Sequence, residues 1–149
     1  MTDDARLTNV LIVDDDRLVH EILGILLDKT AFSLSSAKDV TEAMRLIAAD
    51  MPDIIITDAM MPGESGFSLI EKVKTAVQTQ HIPIILMTML EDPDGSVMDA
   101  SGKADFSVNK PIYRSNIVSS VEKARRLVEE RKMSRVMAAS PGDASRLVV

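Results

Sequence analysis

The 149-residue chain has no cysteine and no tryptophan. Without thiols there can be no disulfide framework, no thiolate zinc or iron–sulfur site, and no cysteine nucleophile. One Tyr and three Phe are all its aromatics, so the core must be aliphatic, with ten methionines as soft gap-fillers. No stretch approaches the roughly 18–20 apolar residues of a membrane span. The N-terminus, Met1-Thr2-Asp3-Asp4, is acidic where a signal peptide would be basic and then apolar. The expectation is a soluble, cytoplasmic protein. A glycine-rich phosphate loop is missing, which removes kinase, P-loop and dinucleotide-binding readings. The two histidines, His20 and His81, have no acids at ligand spacing and are expected on the surface.

The residues present suffice for one folded unit. Hydrophobic residues make up 46% and charged residues 27%, which supports a real core and excludes wholesale disorder; the net charge is −6. Short apolar runs alternate with amphipathic stretches, the pattern of a doubly wound α/β fold with a parallel sheet. Val10–Val13, Ile54–Thr57 and Ile82–Met87 are nearly continuous, as strands covered on both faces should be. Phe32–Ser35 and Phe106–Asn109 alternate apolar with polar, suiting edges. Helical periodicity runs over Leu18–Leu27, Glu42–Ala49 and Gly66–Ala76, with Asp39 and Glu42 placed as a capping box. A weaker helix is expected near Ser96–Ser101, crowded by Pro93, Gly95 and Gly102.

A last helix is expected after Ser115 as N-cap, burying Ile117, Val121, Ala124 and Val128. From Glu122 to Arg135 six bases meet three acids, so this helix overruns the domain. With no interleaved aromatics, that run reads as a solvated face rather than a nucleic-acid surface. The division expected is a domain over residues 1–128, then a basic helix extension and a disordered tail over 129–149. That remainder is too short for an output domain.

Chemistry is suggested by the residues at the end of each strand: Asp14-Asp15-Asp16 after the first, Asp58 after the third, Thr88 after the fourth and Lys110 after the fifth. In such a sheet all carboxyl ends share one edge, so these side chains converge on one crevice. Clustered carboxylates without His or Cys suit a hard cation such as Mg2+, which leaves room for phosphate oxygens. Lys110 and the Thr88 hydroxyl could hold the remaining oxygens of a transferring phosphoryl group. Asp58, alone between the acidic pair and Lys110, is the natural nucleophile.

These residues resemble the receiver domain of two-component response regulators. The matching pieces are Val10-Leu11-Ile12-Val13-Asp14-Asp15-Asp16, Asp53 to Gly63 with Gly66, Ile84-Ile85-Leu86-Met87-Thr88, and Lys110-Pro111. The resemblance implies a flavodoxin-like five-stranded sheet of order 2-1-3-4-5. It makes Asp58 the phosphoacceptor, and Asp14, Asp15, Asp58 and the Met60 backbone carbonyl the Mg2+ ligands. Thr88 becomes the switch hydroxyl and Lys110 the phosphate-pairing cation, followed by a cis bond to Pro111. The implied role is a non-enzymatic, single-domain phosphorelay regulator. It would be charged by a histidine kinase or histidine phosphotransfer protein and would act on a downstream protein, with no membrane or nucleic-acid partner. The extension could dock a partner or a second copy.

The chain departs from the family pattern in places. Met89 comes after the switch Thr where a small residue is usual. Ser107 stands where an aromatic normally swings, and Phe106, one place early, should face the other side of the strand. A pseudo-receiver that does not use phosphorylation is therefore one alternative. A haloacid-dehalogenase-like phosphatase, with Asp14 as nucleophile and Asp16 as acid/base, is a weaker one. Met60 and Leu90 flank the line along which water would attack, and neither can orient it.

Overall fold

A computed structural model of the chain describes residues 6–89 and 103–148, with side chains of the last helix described as far as residue 134. The expected fourth helix near Ser96–Ser101, and Leu90, lie outside the described residues. Five strands, β1 (Thr8–Val13), β2 (Phe32–Ala37), β3 (Ile54–Asp58), β4 (Ile84–Thr88) and β5 (Phe106–Asn109), form one sheet of order β2-β1-β3-β4-β5. Every pairing is parallel. Four helices among the described residues cover it: α1 (Arg17–Leu26), α2 (Val40–Ala49), α3 (Gly66–Thr75) and α4 (Arg114–Val148). This is the flavodoxin-like order expected from the sequence. No helix among the described residues is long and apolar enough to cross a membrane.

Strand alternation splits the core into two layers. Val10, Ile12, Ile54, Ile56, Ile85 and Met87 pack against α1 and α4, where the predicted stripe Ile117, Val121, Ala124 and Val128 is buried. Leu11, Val13, Ile55, Ile84 and Leu86 face α2 and α3. β3 and β4 are buried at every position, the reason their sequences are apolar without alternation. β4 starts at Ile84 rather than Ile82, because Pro83 has no N–H for the ladder; its carbonyl instead accepts from Ile55 N–H at 3.0 Å.

Side-chain caps set the helix starts. Asp39 accepts from Glu42 N–H at 2.8 Å, and Glu42 reaches back to Lys38 N–H, one residue before the usual capping-box donor. Ser65, which accepts from Ser68 N–H, caps α3. α4 starts at Arg114, before Ser115 could cap it. Asn116 Oδ1 instead takes the Tyr113 N–H at 2.9 Å, at the turn that leads into the helix.

Two features of the last helix bear on the expected division of the chain. The helix continues to Val148 through Pro141 and Gly142, where composition suggests a disordered tail. Strong helix formers flank the two breakers: Met137, Ala138 and Ala139 on one side, Ala144, Arg146 and Leu147 on the other. The helix also keeps bonds to the body past Val128. Arg131 donates to Asp105 Oδ1 and to the His81 carbonyl, both at 2.7 Å. Asp105 is also bound by Lys74 Nζ at 2.9 Å and by Ile84 N–H at 2.8 Å. α3, the start of β4, the approach to β5 and α4 are thereby tied at the base of the sheet.

Candidate phosphoacceptor site

The carboxyl ends of β1, β3, β4 and β5 bring Asp14, Asp58, Thr88 and Lys110 together. Asp14, Asp58 and Thr88 are buried, at 1%, 8% and 3% exposure. Lys110 Nζ lies 3.0 Å from Asp14 Oδ2 and 3.4 Å from Asp58 Oδ1. The strand ends are pinned by backbone bonds: Asp14 N–H to Ala37 O at 3.1 Å, Ala59 N–H to Met87 O at 2.9 Å, and Lys110 N–H to Thr88 O at 2.9 Å. The Lys110–Pro111 peptide is cis, as expected. α3 approaches so closely that a Cβ on Gly66 would collide with the Asp58 carbonyl oxygen and lie 3.1 Å from Ala59 Cα, so only glycine fits.

The three consecutive acids divide their roles. Asp14 turns inward, and its Oδ1 also takes the Asp16 N–H at 2.8 Å. Asp15 is exposed at the mouth. Asp16 caps α1, accepting from Leu18 N–H at 2.9 Å. With Asp16 committed to the helix, the phosphatase reading has no acid/base beside Asp14.

Oxygen atoms of Asp14, Asp15 and Asp58 lie within 4.8 Å of one another. This set is all carboxylate, partly open, and without His or Cys, so it fits a hard divalent cation. Burial, and next the Asp14 charge, push the Asp58 carboxyl above its ordinary range against the opposing pull of Lys110. Burial alone would lower the Lys110 ammonium, but its bond to Asp14 and the field of both acids hold it above the ordinary lysine value. The site thus holds concentrated negative charge with one cation fixed against it.

Met60 and Met89 stand on the rim, 58% and 78% exposed. Ser107 is exposed on β5, while Phe106 packs on the opposite side against the α1/α4 layer, as its register requires. His20 does not sit on the surface as expected. It is half-buried, and its Nε2 lies 2.7 Å from the Asp14 carbonyl oxygen, which can only accept, so that nitrogen carries the hydrogen. Its Nδ1 is buried without a hydrogen-bond partner. His81 is half-buried too. Only the inward apolar face of α1, shared with Val19 and Leu23, could have signalled the placement of His20.

Known proteins match this architecture. The family model for the response regulator receiver domain covers residues 10–122. Response regulator PleD of Caulobacter vibrioides is 38% identical over 104 residues, covering 69% of this chain but only 23% of PleD. The crystal structure of the signal receiver domain of a signal transduction histidine kinase from Syntrophus aciditrophicus superposes with a TM-score of 0.71 at 30% identity. It covers 83% of this chain and 91% of that one. The chemotaxis response regulator CheY4 of Vibrio cholerae shares the fold, with a TM-score of 0.72 at 23% identity over 80% of this chain and 99% of that one. Five strands in the same order, a carboxylate group at their shared edge and a family match across most of the length agree: the chain belongs to the response regulator receiver domain family.

Proposed function

We propose that the protein accepts a phosphoryl group on Asp58 from a phosphohistidine of a kinase or phosphotransfer protein, and signals by a changed protein contact. The observation carrying this is the buried Asp58 carboxylate, paired with Lys110 and crowded by Asp14. An Asp58 oxygen attacks phosphorus in line, the P–N bond of the donor breaks, and the freed imidazole leaves with the electron pair. Lys110 is placed to move from two carboxylates to a phosphoryl oxygen, and the Thr88 hydroxyl to donate to another. Asp14, Asp15, Asp58 and the Met60 carbonyl would hold Mg2+, which when bound neutralises the clustered charge and the phosphoryl oxygens. A donor charged from ATP is a cytoplasmic species, and the protein is assigned there with it. We place the receiver unit at residues 1–128, with the helix beyond as an extension that is clamped to the base at Arg131 and is open past it to a downstream protein or a second copy.

The pseudo-receiver reading draws on one observation, the exposed Ser107 in place of a swinging ring. One experiment separates the two. Incubation with a small phosphodonor and Mg2+ should add one phosphoryl mass to the wild type and none to Asp58→Asn or to chelated protein. An adduct in either control removes the assignment, and none in the wild type favours the pseudo-receiver.

A further inference from the structure

At the end of the sheet opposite Asp58 lies a cavity of about 230 Å³. Pro52, Pro83 and Val128 form its buried floor, Met51 a wall that is 41% exposed, and Arg6 and Lys132 its rim. Two neighbouring depressions, of about 230 and 420 Å³, continue from it along α4, and both are again lined by Arg6; the second reaches Arg126. Together they make one groove between the start of β1 and the outer side of α4.

Charge and chemistry make this groove unusual for the chain. Arg6, Arg126 and Lys132 form no ion pair among the described residues, although the protein as a whole carries −6. Two acids also line it, Asp53, whose Oδ2 accepts the Asn9 N–H at 2.8 Å, and Glu129, so the three cations outnumber the acids by one. Pro52 and Pro83 have no N–H groups, so the floor offers an anion nothing from these residues' backbone. Anion recognition falls to the rim and apolar contact to the floor. Arg131 cannot swing away, since Asp105 and the His81 carbonyl hold it.

We propose that this groove binds an acidic peptide segment of a partner protein, with one aliphatic side chain seated in the cavity and flanking carboxylates on Arg6, Lys132 and Arg126. Cations at a rim set encounter rate and orientation, while a desolvated apolar anchor sets dwell time. A nucleic acid fits less well. Among its lining residues the groove has no Phe, Tyr or Trp for base stacking, and a chain of net −6 repels a polyanion at range.

The test uses the full chain and a fluorescein-labelled ten-residue peptide of Glu and Asp with one central leucine, followed by anisotropy. The leucine peptide is expected to bind at least about fivefold tighter than its alanine version. Binding should weaken with salt, and should fall roughly tenfold or more in the Arg6→Glu/Lys132→Glu protein at an unchanged melting temperature. A Met51→Ser protein should lose the leucine preference while keeping the salt dependence. The proposal is overturned by absence of saturable binding, by leucine-independent binding, or by indifference to the charge reversal. It fails equally if an acidic peptide and a duplex DNA of equal charge bind alike. A peptide-free mass difference between wild type and the charge-reversed protein, marking a second copy in the groove, also overturns it.

Discussion

At the scale of single residues, Asp58 is tuned against folding. Burial and Asp14 raise its carboxyl above the ordinary value of 3.8. An acid so raised costs stability once ionised: stability falls as pH climbs from 3.8 through the folded value, and stays lower above it. Asp58→Asn is therefore expected to be more stable than wild type at pH 7, with the difference vanishing below 3.8, as urea melts across pH would record. Met60 makes a kinetic prediction. Its apolar side chain orients no water, so Met60→Asn should hasten dephosphorylation by on the order of tenfold, less than a placed general base gives. An unchanged phosphoaspartate half-life would count against that account. Both residues were legible in the sequence because each has a fixed offset from a strand end. His20 was not, since its contact with Asp14 depends on how α1 rotates over β1.

Among elements, the base clamp decides how α4 is held. Burial would raise the Asp105 carboxyl, but the Ile84 N–H, Lys74 and Arg131 together bring it below its ordinary 3.8. Its contribution is then complete above 3.8 and lost as pH falls through the lower folded value. Asp105→Ala strands Lys74, whose side chain is only 9% exposed, and should cost roughly 3 kcal/mol. Arg131→Ala should cost about 1.5–3 kcal/mol at neutral pH, much less in acid, and should speed amide exchange in α4. Denaturant melts of both variants from pH 7 downward through the acid range check the order and the sign. Nothing local announces this clamp: Lys74, Asp105 and Arg131 are polar residues far apart in sequence, and each reads alone as a surface charge. The strands were legible for the opposite reason. A run such as Ile54-Ile55-Ile56 leaves no solvated face to either a helix or an edge strand.

For the molecule as a whole, charge among the described residues is uneven: carboxylates gather at the strand ends, and cations without an ion pair, Arg6, Arg126 and Lys132, gather at the base. A divalent cation bound only by the folded form stabilises it by mass action, about 2.7 kcal/mol at a hundredfold excess over Kd. For a domain of this size that is roughly 5–10 °C in melting temperature. Mg2+ should give a shift of that order in wild type, reversed by chelator and much reduced in Asp15→Asn. A monovalent salt of equal ionic strength should not reproduce it. The topology and this acidic edge could be read from residues that end strands. The cationic groove could not, because Arg6, Met51, Pro83 and Lys132 become neighbours only when the N-terminal ends of three strands meet α4.

The sheet also partitions the effects of mutation. Leu11 and Ile12 are joined by a peptide bond, yet they belong to different layers, one under α2 and α3 and the other under α1 and α4. Their side chains share no layer, so truncating both should couple weakly, whereas Ile12 with Ile56, its β3 register partner in the same layer, should show coupling on the order of 1 kcal/mol. Each layer can therefore drift and repack with little reference to the other. The residue that answers first to a change at Ile12, in the descent of such a chain, is not its neighbour in sequence but Ile56, its partner on another strand.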